Sequence, residues 1–332
     1  TLSSSELFKK KFVKYSNVQH RFFPLDNLGL VKNFLNKWSP NIILFVDSEI
    51  WPNFLTEIKK RSIPLILLNA RITDKSFSRW SLFKNFSKKI FGCFSVFICA
   101  SKNSKTNLEK LGQKNTKYFG NLKFSSTLET NEITNLNELK NSWCAVSTHE
   151  GEEEICIRAH LMLKKEFKEC KTIIIPRHID RLKGIIELCK KNGLGFHIVS
   201  QNDLYDKNKE IIIVNQFGIL RNYFQICKNV FIGKSLLKKF TNSGGQNPIE
   251  AAKMGCKIFY GQYVYNFKDV YDHLNELNIA TKVKNIDDLV INLSKSFGSE
   301  KSVEKDNIEK LNNFGQKILE ENINIIKEHD SN

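Results

Sequence analysis

Short, nearly continuous apolar runs recur along this chain, each followed by a longer amphipathic or polar stretch. They fall at 41–47 (NIILFVD), 64–69 (PLILLN), 94–100 (FSVFICA), 143–147 (WCAVS), 172–176 (TIIIP), 210–214 (EIIIV), 229–232 (NVFI) and 256–259 (CKIF). Runs of this size that do not alternate with polar residues suit strands covered on both faces. The helical stretches 152–167 and 179–191 would supply the covers. Strands and helices in this order predict an α/β fold with parallel sheets. The polar stretch 127–140 (TLETNEITNLNELK) breaks the pattern and reads as a linker between an N-terminal half, 1–130, and a C-terminal half, 131–303. In 304–332, Ile308, Leu311, Phe314, Ile318, Leu319 and Ile323 share one helical face. This C-terminal helix has the N-terminal half as a candidate docking surface. Two α/β halves of this kind bind ligands at the carboxyl ends of their strands.

The motifs with chemical content sit just after expected strands. In VDSEIWPN, Asp47 and Glu49 lie two residues apart, on one side of the chain if it stays extended. They read either as a carboxylate pair for binding and charge stabilisation or as a strand end with a helix cap. Arg71, in LLNARITDKS, is placed to bind phosphate or carboxylate bidentately, or to serve structure. Lys123 in FGNLKF is either a cation for a leaving phosphate or one surface lysine among many. STHEGEEEI places His149 and Glu150 at a helix start, where acids suit the dipole. IIIPRHIDR puts Pro176, Arg177 and His178 at a strand's carboxyl end. NQFGIL brings Phe217, Gly218 and Ile219 to a turn, and FIGKS brings Ser235 to another.

NSGGQNPIEAAKMG is the sharpest local signal. Gly244 and Gly245 permit backbone angles closed to other residues and a close ligand approach. Asn247 is expected as N-cap, Pro248 and Ile249 in the first helical positions, and Glu250 as the reciprocal capping-box partner. The free N–H groups of such a turn suit an anion. A well-capped helix after a tight turn accounts for the motif equally well.

Charge and cysteine content narrow the partners. Lys and Arg number 51 against 35 Asp and Glu, a formal charge of +16. That favours an anionic partner, although abundant Lys, Asn and Ile together also reflect biased coding composition. With no Arg-rich stripe, RNA-binding aromatic signature or zinc-finger spacing, nucleic acid is not expected. Eight cysteines without a C-x-x-C pair read as buried thiols in a reducing compartment. No metal site is expected.

Taken in order, VDSEIWPN, LLNARITDKS, GNLKF, STHEGEEE, PRHIDR, GGQNPIEAA and YNFKD resemble the Kdo transferases. These bacterial enzymes move 3-deoxy-D-manno-oct-2-ulosonic acid (Kdo) from CMP-Kdo to the lipid A precursor. The resemblance covers nearly the whole chain. It implies a GT-B-like α/β fold, two Rossmann-like domains with an interdomain cleft, and an inverting reaction at the cytoplasmic face of the inner membrane without cofactor or metal. It implies CMP contacts at Pro176, Arg177, Phe217, Gly218, Ile219, Asn247, Pro248, Ile249 and Glu250, with Glu250 also serving the ribose. Asp47 and Lys123 match charged groups that stabilise the transition state. Glu49, Arg71, His149, Glu150, His178, Ser235 and Gly245 are further cleft candidates. The implied partners are CMP-Kdo, the lipid A precursor and an anionic inner-membrane surface. Asp47 stands for a Glu, Ile219 for a more polar residue, Lys234 for a Gly and Gln246 for a His. The family's membrane segment, first strand and Gly-rich turn with a general-base Glu match nothing from Thr1 onward, so they are expected outside this sequence. The alternatives are a nucleotide-binding remnant that lacks the base and a GT-B transferase using another nucleotide sugar.

Overall fold

In the computed structural model, residues 2–127, 139, 141–200, 206, 208–216, 218–297 and 303–330 are described. The chain forms two compact units. The first holds residues 1–98, 106–117 and 325–332, and the second holds 99–105 and 118–324. The expected domain boundary at 130 and nearly all of the expected linker lie outside the described residues.

The first unit is built on a four-stranded sheet in sequential order: β1 (Ile43–Val46), β2 (Leu65–Ala70), β3 (Val96–Cys99) and β4 (Thr116–Lys117). The β1–β2 and β3–β4 pairings are parallel, with β1 aligned on β2 from Ile43 opposite Leu65 to Val46 opposite Leu68. Every residue of β2 is buried. Phe54, Leu55 and Ile58 of the helix Pro52–Lys60 are buried too, each worth about 1.5–3 kcal/mol on a transfer scale. That helix starts under a remote cap. Asp26 accepts from the Asn53 and Phe54 backbone N–H groups at 3.1 and 3.0 Å, because Trp51 at the cap position has no side-chain acceptor to offer.

The second unit carries β5 (Ser142–Thr148), β6 (Lys171–Pro176), β7 (Phe196–Val199), β8 (Ile211–Val214), β9 (Asn229–Ile232), β10 (Lys257–Tyr260) and β11 (Ala280–Lys282). Their order across the sheet is β11-β10-β9-β5-β6-β8-β7, with every pairing parallel. Both faces are covered, as the apolar runs require. Cys144, Val146, Ile173, Ile175, Ile212 and Val214 feed one core, while Trp143, Ala145, Ile174, Ile211 and Ile213 feed the other. The C-terminal helix Lys305–Asp330 buries Leu311, Gly315 and Ile318. A Cβ on Gly315 would stand 2.1 Å from the Phe124 carbonyl oxygen. Phe314 packs edge-on against Phe124 at 5.2 Å.

The helix expected over 152–167 stops at Lys164, and the stretch 179–191 divides into a 3-10 turn, Ile179–Arg181, and a helix, Leu182–Lys191. Sequence reading missed β4, β7 and β11. Each pairs on one side only within its sheet, and β4 and β11 expose polar residues. All eight cysteines are buried and unbridged. Among the described residues, no helix is long and apolar enough to cross a membrane.

Candidate active site

The second sheet reverses direction at β5, where successive strands build outward first through β6 and then through β9. The crevice outside the carboxyl ends of β5 and β9 is therefore a topological switch point, where open α/β sheets take their ligands. Three strand ends are stitched together there. Gly233 N–H donates to the Val146 carbonyl at 2.8 Å, and Arg177 N–H donates to that of Thr148 at 3.1 Å. Gly233 is required by this approach: a Cβ would lie 2.7 Å from the Ser147 oxygen.

Glu152, wholly buried, organises the crevice. Its carboxylate accepts from the backbone N–H groups of His149 (3.1 Å), Lys234 (2.6 Å), Ser235 (2.9 Å) and Leu236 (3.2 Å). Burial pushes its carboxyl above the usual range, while these four donors favour the ionised form. Glu153 beside it is also wholly buried, and neither carboxylate oxygen has a hydrogen-bond partner. Its charge faces the Arg181 guanidinium at 3.6 Å, which also reaches the exposed Glu150 at 3.7 Å.

A cationic rim borders these turns. The His149 and His178 rings meet edge-on at 5.7 Å, and Phe240 closes on His149 at 5.6 Å. His149 Nδ1 lies 3.0 Å from the Ser147 carbonyl. Since a carbonyl only accepts, Nδ1 carries the proton and Nε2 is the acceptor of the neutral ring. Burial, together with the nearby Lys234, His178 and Arg177 charges, lowers the His149 pKa and keeps that ring neutral. Arg177 and His178 are exposed, while Pro176 is buried as the last residue of β6. Lys234 takes a left-handed φ of 54°, a conformation that a glycine would hold without strain.

The GGQNPIE turn differs from its expected form. The helix is only Ile249–Lys253 and Pro248 stands at its cap position. Asn247 Oδ1 accepts from Ile249 N–H at 3.2 Å. Glu250 does not close a capping box; its carboxylate pairs with Arg221. That pair ties this turn to the one at Gly218, whose φ is +81°. Ile219 packs against the core cluster that also holds the buried Ile249. Phe217 lies outside the described residues. The two glycines answer to backbone crowding: a Cβ on Gly244 would fall 2.0 Å from the Tyr263 oxygen, and one on Gly245 would sit 3.1 Å from Val264 Cα. Ser235 is likewise committed internally, donating to the Ile232 carbonyl at 2.6 Å and accepting from Gly261 N–H at 2.8 Å. Lys123 is exposed on the 3-10 turn Leu122–Ser125, its Nζ 5.5 Å from the Phe267 ring centre.

In the first unit the expected carboxylate pair does not form. Asp47 has φ 61°, so the chain leaves the extended conformation and the two-residue spacing no longer aligns the side chains. Asp47 accepts from Asn69 Nδ2 at 2.6 Å, and its carbonyl accepts from Arg71 N–H at 2.9 Å. Glu49 instead accepts from the Trp51 indole at 2.6 Å. The result is a strand end carrying half-buried Asp47 and Arg71 over the buried Asn69, with Glu49 turned to its own neighbour.

Sequence reasoning missed Glu152, the Arg181–Glu153 contact, Arg221 and Asp26. Glu152 was hidden among three consecutive acids that all suit a helix start. Arg221 lay just beyond the turn that drew attention. Asp26 gave no signal, because its partners are 27 and 28 residues away.

The family model described as 3-deoxy-D-manno-octulosonic-acid transferase (kdotransferase) matches residues 1–126. The 3-deoxy-D-manno-octulosonic acid transferase of Rickettsia felis is 33% identical over 98% of this chain and 71% of its own length. That of Haemophilus influenzae is 27% identical over 97% of this chain and 75% of its own. Among solved structures, the UDP-GlcNAc 2-epimerase of Neisseria meningitidis, bound to UDP-GlcNAc, superposes with a TM-score of 0.59 at 12% identity, covering 98% of this chain and 88% of that one. The epimerase of Methanocaldococcus jannaschii gives 0.59 at 14%, over 90% and 84%. At such identities the likeness is one of fold, and it is the GT-B-like fold of two parallel α/β units. Sequence similarity across 98% of its length carries the closer assignment: the chain belongs to the 3-deoxy-D-manno-octulosonic acid (Kdo) transferase family.

Proposed function

We propose that this chain is an inverting, metal-independent glycosyltransferase that moves Kdo from CMP-Kdo to the lipid A precursor, lipid IVA, in lipopolysaccharide core biosynthesis. The observation that carries the reading is the 33% identity maintained over 98% of the chain to a Kdo transferase. The donor belongs to the second unit. Pro176, Arg177, Gly218, Ile219 and the Asn247–Glu250 turn form the CMP side, with Phe217 assigned from sequence alone. Glu250, oriented by Arg221, takes the ribose hydroxyls. His149, Glu150, His178 and Gly245 border the site, and Ser235 supports it from within, its N–H held by Glu152 and its hydroxyl by Ile232 and Gly261.

The reaction breaks the bond between the Kdo anomeric carbon and the CMP phosphate oxygen. A hydroxyl of the acceptor sugar forms the new carbon–oxygen bond on the opposite face and gives its proton to a base. CMP leaves as a phosphate monoester, so there is no diphosphate for a metal to bridge. Arg177 and Lys123 stabilise the departing negative charge and Asp47 the positive charge that grows at the sugar. Arg71 and Glu49 are placed for the acceptor.

The same reading puts the chain at the cytoplasmic face of the inner membrane. Support comes from the hairpin between the helices Asp74–Ser81 and Lys84–Phe91. Leu82, Phe83 and Phe86 are 77%, 66% and 50% exposed at its tip. Exposed Arg79, Lys84, Lys88 and Lys89 flank them. Apolar side chains ringed by cations suit an anionic bilayer surface.

The test is to incubate the full-length protein with CMP-Kdo and lipid IVA in EDTA and to read product by mass and anomeric configuration by NMR. Transfer with inversion supports the proposal. If full-length protein binds CMP but makes no product, the chain is a nucleotide-binding remnant. Preference for UDP or GDP over CMP would assign it another donor.

A further inference from the structure

The four N–H groups that converge on Glu152 come from two separate turns. His149 follows β5, while Lys234, Ser235 and Leu236 follow β9. Converging backbone amides at a strand end are the usual receptor for a ligand's anion. Here the chain's own carboxylate fills that receptor from beneath. The turns it joins have no slack. Ser147, Gly151 and Lys234 hold left-handed φ values of 55°, 89° and 54°. Gly244 and Gly261 admit no Cβ, because the Lys234 and Ser235 carbonyls stand 2.8 and 2.1 Å from where it would lie. Gly245 N–H donates to the Lys234 carbonyl at 2.8 Å, so a displacement at 234–236 is passed to the turn that carries Asn247 and Glu250.

We propose that Glu152 is a positioning residue for the donor site: its buried carboxylate locks the β5 and β9 turns together, and through Gly245 the Asn247–Glu250 turn, in the arrangement that receives the sugar nucleotide. This rests on the donor-site reading above. Glu152 does not itself meet the donor. It also directs the donor's charged groups to the exposed side chains of the rim, since the amides are already taken.

The direct test is Glu152→Gln, the same shape with one acceptor oxygen replaced by an NH2 that faces backbone donors. The full chain is titrated with CMP by calorimetry, and its fold is checked by circular dichroism and thermal melting. The expected result is a folded variant whose CMP Kd and donor KM both rise about tenfold or more, with the acceptor KM unchanged. Glu152→Asp, which keeps the charge but falls short, is expected to lie between the two. A role in stability alone would lower the melting temperature and leave the CMP Kd and the ratio of donor to acceptor KM where they were. Either folded variant binding CMP like wild type overturns the proposal. If neither variant folds, hydrogen exchange on the wild-type chain decides. Saturating CMP is expected to slow exchange in 147–152 and 233–237 together, and no change in either segment overturns the proposal. Wild-type chain that binds no CMP at all removes the donor-site reading instead.

Discussion

The two units solve the end of a parallel strand in different ways. In the second, the turns after β5 and β9 are locked from inside by a buried carboxylate and by glycines that touch backbone. In the first, the end of β1 keeps its polar groups outside: Asp47 is partly exposed, Glu49 is exposed, and one asparagine amide steadies Asp47. Their surfaces differ in the same sense. Among the described residues, all the exposed large apolar side chains but Ile291, Leu319 and Ile323 belong to the first unit. Residues 1–98 also carry sixteen Lys and Arg against six Asp and Glu. The second unit has locked strand-end turns, and the first has an apolar, cationic surface. Under the proposed function, the second unit would take the nucleotide sugar and the first the lipid-borne acceptor.

The comparison breaks most readily at the charged groups proposed for the transition state. Asp47→Asn and Lys123→Ala should each lower kcat by about 10²–10³-fold while leaving the CMP Kd near wild type. Steady-state kinetics beside calorimetry will separate the two effects. A mutant that loses CMP binding and turnover equally would move that residue into the donor site. Next in size is Gly244→Ala. Its new methyl meets three carbonyl oxygens of the locked turns, which should cost about 1–3 kcal/mol in a urea melt.

The apolar runs were readable because both faces of the central strands are buried, so period and hydropathy agree. The edge strands β4, β7 and β11 were not, because a strand paired on one side need not be apolar. The glycines of NSGGQNPIE were visible, but their reason was not. Sequence suggests ligand approach, whereas the neighbours at 2.0–3.1 Å are the chain's own backbone. Arg177 was visible as a residue type at a strand end, and Glu250 as one at a helix start. Glu152 and Arg221 were not, since their importance lies in partners 82 and 29 residues away.

Smaller effects sharpen the contrast. Arg221→Ala should weaken CMP binding by about tenfold, because Glu250 loses the partner that aims it. The rim of the second unit should be insensitive to a change that empties the hairpin tip of the first. Phe83→Ser with Phe86→Ser should reduce sedimentation with anionic vesicles several-fold and leave the CMP Kd unchanged, since burying each ring is worth about 1.5–3 kcal/mol. Equal sedimentation would place the membrane contact elsewhere.

The smallest effect is a dependence on pH. His160 is buried between Thr172 at 2.9 Å and Glu210 at 3.4 Å, with Lys164 and Lys171 nearby. Burial holds its pKa below 6.5 in the fold, so the unfolded chain takes up the proton first. Its neutral ring favours the fold fully above pH 6.5, and that margin shrinks as pH falls below it. Urea midpoints at pH 7.5 and 5.5 should therefore differ more for wild type than for His160→Gln.

The most direct test of the donor-site assignment is calorimetric competition of CMP, UDP and GDP for the same protein. CMP is expected to bind, UDP and GDP are expected not to displace it, and Arg177→Ala and Glu250→Ala are each expected to weaken it. Displacement of CMP by UDP or GDP, or wild-type affinity in both variants, would contradict the claim that the second unit is a built receptor for a CMP-linked sugar.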